Sequence, residues 1–171
     1  MAETVLIAFA TRYGSTQEVA ESIADRLRGR GFSVDTKRLT EVKSLEPYRA
    51  VVMGAPLFMF HWHKDAFAFL SRHREALLKR KVAVFVLGPV HDPHDEEEWR
   101  ASRDQLDKEL AKVPWFKPDA LEVLGGRYDP TRLRFPLKAF AGTEPASDIR
   151  DWDAIRGWTD SLPDRLQFSV A

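Results

Sequence analysis

Short uninterrupted apolar runs alternate along this chain with longer stretches in which apolar residues recur every three to four positions. Residues 5–10 (VLIAFA) form the first run, with no polar position to face water, as in a strand covered on both faces of a parallel sheet. Residues 16–30 then take a helical period. Val19, Ile23 and Leu27 share one side with Ala20 and Ala24, while Glu18, Glu21, Asp25 and Arg26 share the other, and Gly29 and Gly31 end the segment. Residues 32–39 alternate Phe32, Val34 and Thr36 against Ser33, Asp35 and Lys37, the pattern of an edge strand wetted on one face. A second apolar run, 50–55 (AVVMGA), is expected to end at Pro56, and a third, 82–87 (VAVFVL), at Gly88 and Pro89. Between them residues 64–78 read as a helix with Phe67, Leu70, Leu77 and Leu78 inward. Residues 95–113 place Trp99, Leu106, Leu110 and Val113 on one stripe, and begin with four acidic residues that suit the positive end of a helix dipole. Residues 120–124 form a fifth strand, and Ile149, Trp152, Ile155, Thr159, Leu162 and Leu166 a last helical stripe. Residues 129–146 carry Pro130, Pro136, Gly142 and Pro145 and fit neither period, which predicts a long excursion with at most a short helix.

Five strands interleaved with helices predict an α/β chain doubly wound on a parallel sheet with right-handed crossovers, a single domain over residues 1–171. An apolar content of 44% supplies a core. Lys and Arg number 26 and so do Asp and Glu, a balance that argues against a general nucleic-acid binder. The absence of cysteine excludes disulfides, thiolate zinc sites, Cys-ligated iron–sulfur clusters and thiol nucleophiles together. The chain shows no secretory leader and no apolar run approaching the roughly 18 residues of a membrane span, so a soluble, cytoplasmic protein without a transmembrane segment is expected.

In an open parallel sheet ligands bind beyond the carboxyl ends of the strands, where strand order reverses. Three segments leave those ends. The first, Thr11, Arg12, Tyr13, Gly14, Ser15 and Thr16, runs straight into a helix, so hydroxyls and a glycine surround first-turn N–H groups that lack internal partners. Such a turn suits a phosphate dianion, and equally suits an ordinary helix cap. It is neither GxGxxG nor GxxxxGK[ST]. The second segment holds Pro56, Leu57, Phe58, Met59, Phe60, His61, Trp62 and His63, whose aromatic and sulfur groups offer flat polarisable surfaces to a ring system, or pack as core while the histidines cap the next helix. Nothing acidic or thiolate nearby completes a ligand set for His61 and His63, and no metal is expected. The third segment, Gly88, Pro89, Val90 and His91 followed by Asp92, Pro93 and His94, allows close backbone approach to a ligand's polar edge.

Together these segments resemble the flavodoxin family. Residues 11–16 (TRYGST) look like that family's phosphate loop, [ST]-x-T-G-x-T, with Tyr13 where the family has Thr. The segment 54–64 (GAPLFMFHWHK), the step 125–128 (GGRY) and the C-terminal helix expected over 148–158, with Asp151 and Trp152, are similar to the branch containing bacterial menaquinone-dependent protoporphyrinogen oxidases. The resemblance implies a flavodoxin-like three-layer sandwich with a five-stranded parallel sheet in the order 2-1-3-4-5. It also implies FMN as cofactor, its phosphate on residues 11–16 and its ring between 56–63 and 88–94, with Phe58, Phe60, Trp62 and His91 as candidates to flank it. No catalytic side chain is needed for such a flavoprotein, which exchanges electrons with a redox partner protein, a quinone or a small-molecule substrate. Flavodoxin shuttles are usually strongly acidic, whereas this chain is balanced, so long-range steering should be weak. The stretch 132–140 (RLRFPLKAF) joins apolar and basic residues and is a candidate for peripheral membrane contact, or a loop folded onto the domain. The alternative is a cofactor-free flavodoxin-like interaction domain. A phospho-receiver is a poor fit, because Ala10, Thr11, Gly54 and Ala55 stand where acidic residues would hold Mg²⁺.

Overall fold

A computed structural model describes residues 3–133 and 145–170. Strand β1 (Thr4–Phe9) leads into helix α1 (Ser15–Gly29), edge strand β2 (Ser33–Arg38), and the long strand β3 (Tyr48–Phe58), which turns back into the short β4 (His61–Trp62). Helices α2 (Lys64–Arg72) and α3 (Arg74–Leu78) precede β5 (Lys81–Leu87), then α4 (Glu96–Leu110) and β6 (Ala120–Leu124). The short strands β7 (Arg127–Tyr128) and β8 (Ser147–Asp148) pair antiparallel before α5 (Trp152–Leu166). The long strands are all parallel in the order β2-β1-β3-β5-β6. That is the expected 2-1-3-4-5 arrangement, with β4 attached antiparallel to the end of β3.

Alternate strand residues face opposite sides, and this sorts the core into two layers. Val5, Ile7 and Phe9 meet α1 and α5, with Ile23, Leu27, Ile155 and Leu162 fully buried against them. Leu6 and Ala8 meet the other layer, with Phe69 and Leu70 of α2, Leu77 of α3 and Leu106 of α4. The result is a three-layer sandwich. Gly54, at the centre of β3, has the Phe85 ring where a Cβ would stand, 1.9 Å away, so close packing of β5 against β3 requires glycine there.

Four expectations change. β3 does not stop at Pro56 but continues to Phe58, because Pro56 sits in register with Leu87 and its carbonyl accepts the N–H of His63, while β4 pairs with Leu57 and Phe58. The helix expected over 64–78 breaks at His73, whose ring turns inward to the Val42 carbonyl at 3.2 Å; beyond the break Leu77 is buried and Leu78 is 60% exposed. Asp95 is not in α4 but caps it, accepting from the N–H groups of Glu97 and Glu98. Ile149 is outside the last helix, which starts at Trp152 under an Asp151 cap, because residues 147–148 pair with β7. In the excursion, residues 130–132 form a single 3₁₀ turn, and residues 134–144, including most of the expected membrane-contact stretch, lie outside the described residues.

Candidate functional site

The turn after β1 is shaped by its own side chains. Thr11 Oγ1 accepts the N–H of Gly14 at 2.8 Å, and Gly14, with φ 96°, takes the left-handed conformation that starts α1. No side chain caps this helix. Thr16, in its first turn, is completely buried, and its Oγ1 has no hydrogen-bond partner. Uncapped amides and a buried orphan hydroxyl at a helix N-terminus are what an anionic oxygen group would satisfy. Cations stand around the turn. Arg132 Nη1 donates to the Tyr13 carbonyl at 2.6 Å while its Nε lies 3.3 Å from Asp129, and the Arg12 guanidinium lies 4.5 Å over the Phe58 ring. Below it Arg150, 9% exposed, bridges Asp148 at 2.6 Å and Glu18 at 2.7 Å and reaches the Ser15 carbonyl. The hydrogen bond from Arg150 holds the Asp148 carboxyl below its usual range.

Beside this turn a cleft of about 410 Å³ opens between the β3–β4 hairpin and the segment after β5. Ser15, Pro56, Leu57, Phe58, Met59, Phe60, Gly88, Val90 and His91, all singled out from the sequence, line it. Thr11, Arg12, Tyr13, Gly14 and Thr16 are not in its lining but form the adjoining turn, with Tyr13 edge-on to Phe58 at 6.3 Å. Pro89 sits behind the wall, its carbonyl accepting the Gly126 N–H at 2.6 Å. Trp62 does not face the cleft. It is 2% exposed, donates Nε1–H to the Ala55 carbonyl and packs edge-on to Phe67, because in a hairpin its side chain falls on the core face. Of the two histidines, His63 caps α2 by accepting from the Asp65 N–H; burial holds it below its ordinary pKa against the opposing charge of Asp65.

Sequence reasoning missed the far wall. Glu98, Ala101, Ser102 and Gln105 of α4 and Gly126, Arg127 and Tyr128 complete the cleft. Nothing in the sequence singled out the α4 residues, because polar groups at helical spacing carry no mark of what packs on them. Glu98 accepts from the N–H groups of Val90 (2.9 Å) and His91 (3.3 Å). Arg127 lies 3.6 Å from both Glu18 and Asp129. Two backbone features hold the hairpin wall in an uncommon shape: Met59 (φ 48°) and Phe60 (φ 68°) are both left-handed and are 61% and 78% exposed.

Among curated proteins, this chain is 25% identical to the protoporphyrinogen IX dehydrogenase (quinone) of Escherichia coli, over 92% of this chain and 93% of that protein. Among solved structures it is similar to oxidised flavodoxin 1 of Bacillus cereus (16% identity, 95% of this chain and 98% of that one, TM-score 0.57). It is also similar to a Fusobacterium nucleatum flavodoxin mutant bound to flavin mononucleotide (14% identity, 97% and 96%, TM-score 0.54). The sequence pattern of the flavodoxin domain matches residues 6–139, most of the chain. With the sheet order in agreement, the chain belongs to the flavodoxin domain family.

Proposed function

We propose that this protein binds FMN and transfers electrons through it, and that a quinone or another small redox substrate is its exchange partner. The observation that carries the reading is the adjacency of two unlike surfaces at the sheet's switch point. The uncapped α1 terminus with the buried Thr16 hydroxyl suits a phosphate, and the mostly apolar cleft beside it suits a ring. FMN, when bound, supplies the redox chemistry. The chain's residues divide the remaining tasks. The turn 11–16 holds the phosphate through first-turn amides and hydroxyls. Phe58, Met59 and Phe60 cover one side of the ring site, and residues 88–91 with Tyr128 enclose the other and exclude water. Exposed Met59 and Phe60 at the rim leave an apolar approach for a neutral ring substrate. The quinone part of the reading draws support from the Escherichia coli relative.

The test is the visible spectrum of the purified protein, followed by titration of the flavin-free protein with FMN and riboflavin. Flavin bands with FMN bound much more tightly than riboflavin support the phosphate turn. Equal affinities reduce residues 11–16 to a helix cap, and no uptake of either flavin favours the cofactor-free alternative. Oxidation of the reduced protein by a soluble quinone, faster than by oxygen alone, tests the partner class.

A further inference from the structure

Helix α4 sets both walls of the cleft from one face. Residues 98, 102, 105 and 109 are spaced four, three and four along it and so share a side. Glu109, whose side chain is 3% exposed, accepts the N–H of Trp62 at 3.1 Å and pairs with Lys112 at 2.7 Å, while Gln105 donates Nε2–H to the Phe60 carbonyl; together they hold the hairpin. Glu98 holds the opposite wall. Its Oε1 accepts the Val90 N–H at 2.9 Å and meets His91 Nδ1 at 3.0 Å, and its Oε2 accepts the His91 N–H at 3.3 Å. The two backbone donors that the segment after β5 would offer to a ligand in the cleft are thus already taken, by a carboxylate that itself lines the cleft. Arg127, a cation in the same lining, lies instead against Glu18 and Asp129.

We infer that Glu98 is a positioning residue that lowers the reduction potential of flavin held in this cleft: it withdraws the Val90 and His91 N–H groups and places a carboxylate in the wall. A reduced flavin carries more negative charge than an oxidised one. Engaged donors and a nearby carboxylate both weaken binding of the reduced form relative to the oxidised. The inference rests on the FMN reading.

The experiment compares wild type with Glu98→Gln, Glu98→Ala and Glu98→Asp in two measurements: FMN affinity by fluorescence quenching and midpoint potential by equilibration with a reference dye. Gln and Ala are expected to raise the reduced-over-oxidised affinity ratio about tenfold, which is about 30 mV for a two-electron couple. Asp, which keeps the charge, should keep a potential near that of the wild type. An unshifted potential in Gln and Ala overturns the inference, as do equal shifts in all three variants, which would mark Glu98 as structural only. A wild-type protein that takes up no FMN defeats the functional reading itself. A wild type that binds FMN while its variants keep its potential defeats only the role of Glu98.

Discussion

Thr16 shows at the scale of one residue how the phosphate reading can be tested apart from the fold. Its hydroxyl is buried and unpartnered, so removing it should leave the flavin-free protein as stable or up to about 1 kcal/mol more stable, since an unsatisfied buried polar group costs free energy. Thr16→Val should nevertheless weaken FMN binding at least tenfold, the loss of one hydrogen bond to a charged group at about 1.5–3 kcal/mol, and leave riboflavin binding unchanged. Urea unfolding and paired flavin titrations check this, and equal losses for both flavins would detach Thr16 from the phosphate. The residue was legible in the sequence as part of a hydroxyl-rich turn. Its orphan state was not, because burial of a side chain depends on what the rest of the chain brings against it. Trp62 makes the same point from the other side: aromatic and near the cleft in sequence, it turns inward to Ala55 and Phe67.

At the scale of elements, the β3–β4 hairpin keeps an unfavourable turn. Both central residues of its two-residue loop have positive φ, as turns of this length commonly require, yet they are Met59 and Phe60 rather than the Asn-Gly pair that adopts this shape readily. Holding non-glycine residues there costs on the order of 1–3 kcal/mol each. Replacing the pair, Met59→Asn with Phe60→Gly, should therefore raise stability by about 1–3 kcal/mol in urea unfolding. The same double substitution removes one wall of the ring site, and FMN and riboflavin should lose affinity together, several-fold. A stabilised hairpin with unchanged flavin affinity would show that these side chains do not cover the ring. The apolar runs made β1, β3 and β5 visible, since a strand buried on both faces has no polar position. The hairpin stayed hidden because Pro56 reads locally as a strand end, and only pairing with β4 carries the strand past it.

For the whole molecule, titration follows from burial spread over both layers. Burial lowers the pKa of His63 and His73 from 6.5, so below about pH 6.5 the unfolded chain takes up protons that the folded one refuses. Their contribution is full above that pH and falls as the pH drops through it. Glu109 is pushed up by burial but held lower overall by hydrogen bonds from Lys112 and Trp62, and Asp148 is lowered by Arg150. Both stabilise the fold above about pH 4, and the stabilisation is lost as pH falls towards their folded values. Glu122, raised by burial, runs the other way. The urea midpoint should therefore fall in two stages on acidification, first below about 6.5 and again near 4. His73→Gln, which keeps a donor for Val42, should shrink the first stage; an unchanged first stage would remove His73 as its source. Among the described residues no helix is long and apolar enough to cross a membrane.

The local pattern of the chain by itself determined the order of the five long strands and the helical segments between them, the edge position of β2, and the three segments at the strands' carboxyl ends. Each of these is set by a period of two or 3.6 or by an unbroken apolar run, and all are short-range properties of sequence. Tertiary structure alone decided which of those residues meet. It brought Glu98 and Gln105 of α4 to opposite walls of one cleft, set Arg132 on the Tyr13 carbonyl, and closed β7 against β8. These contacts join positions far apart in the chain, or turn a polar helix face toward a loop, and neither periodicity nor composition records which distant partner a side chain will find.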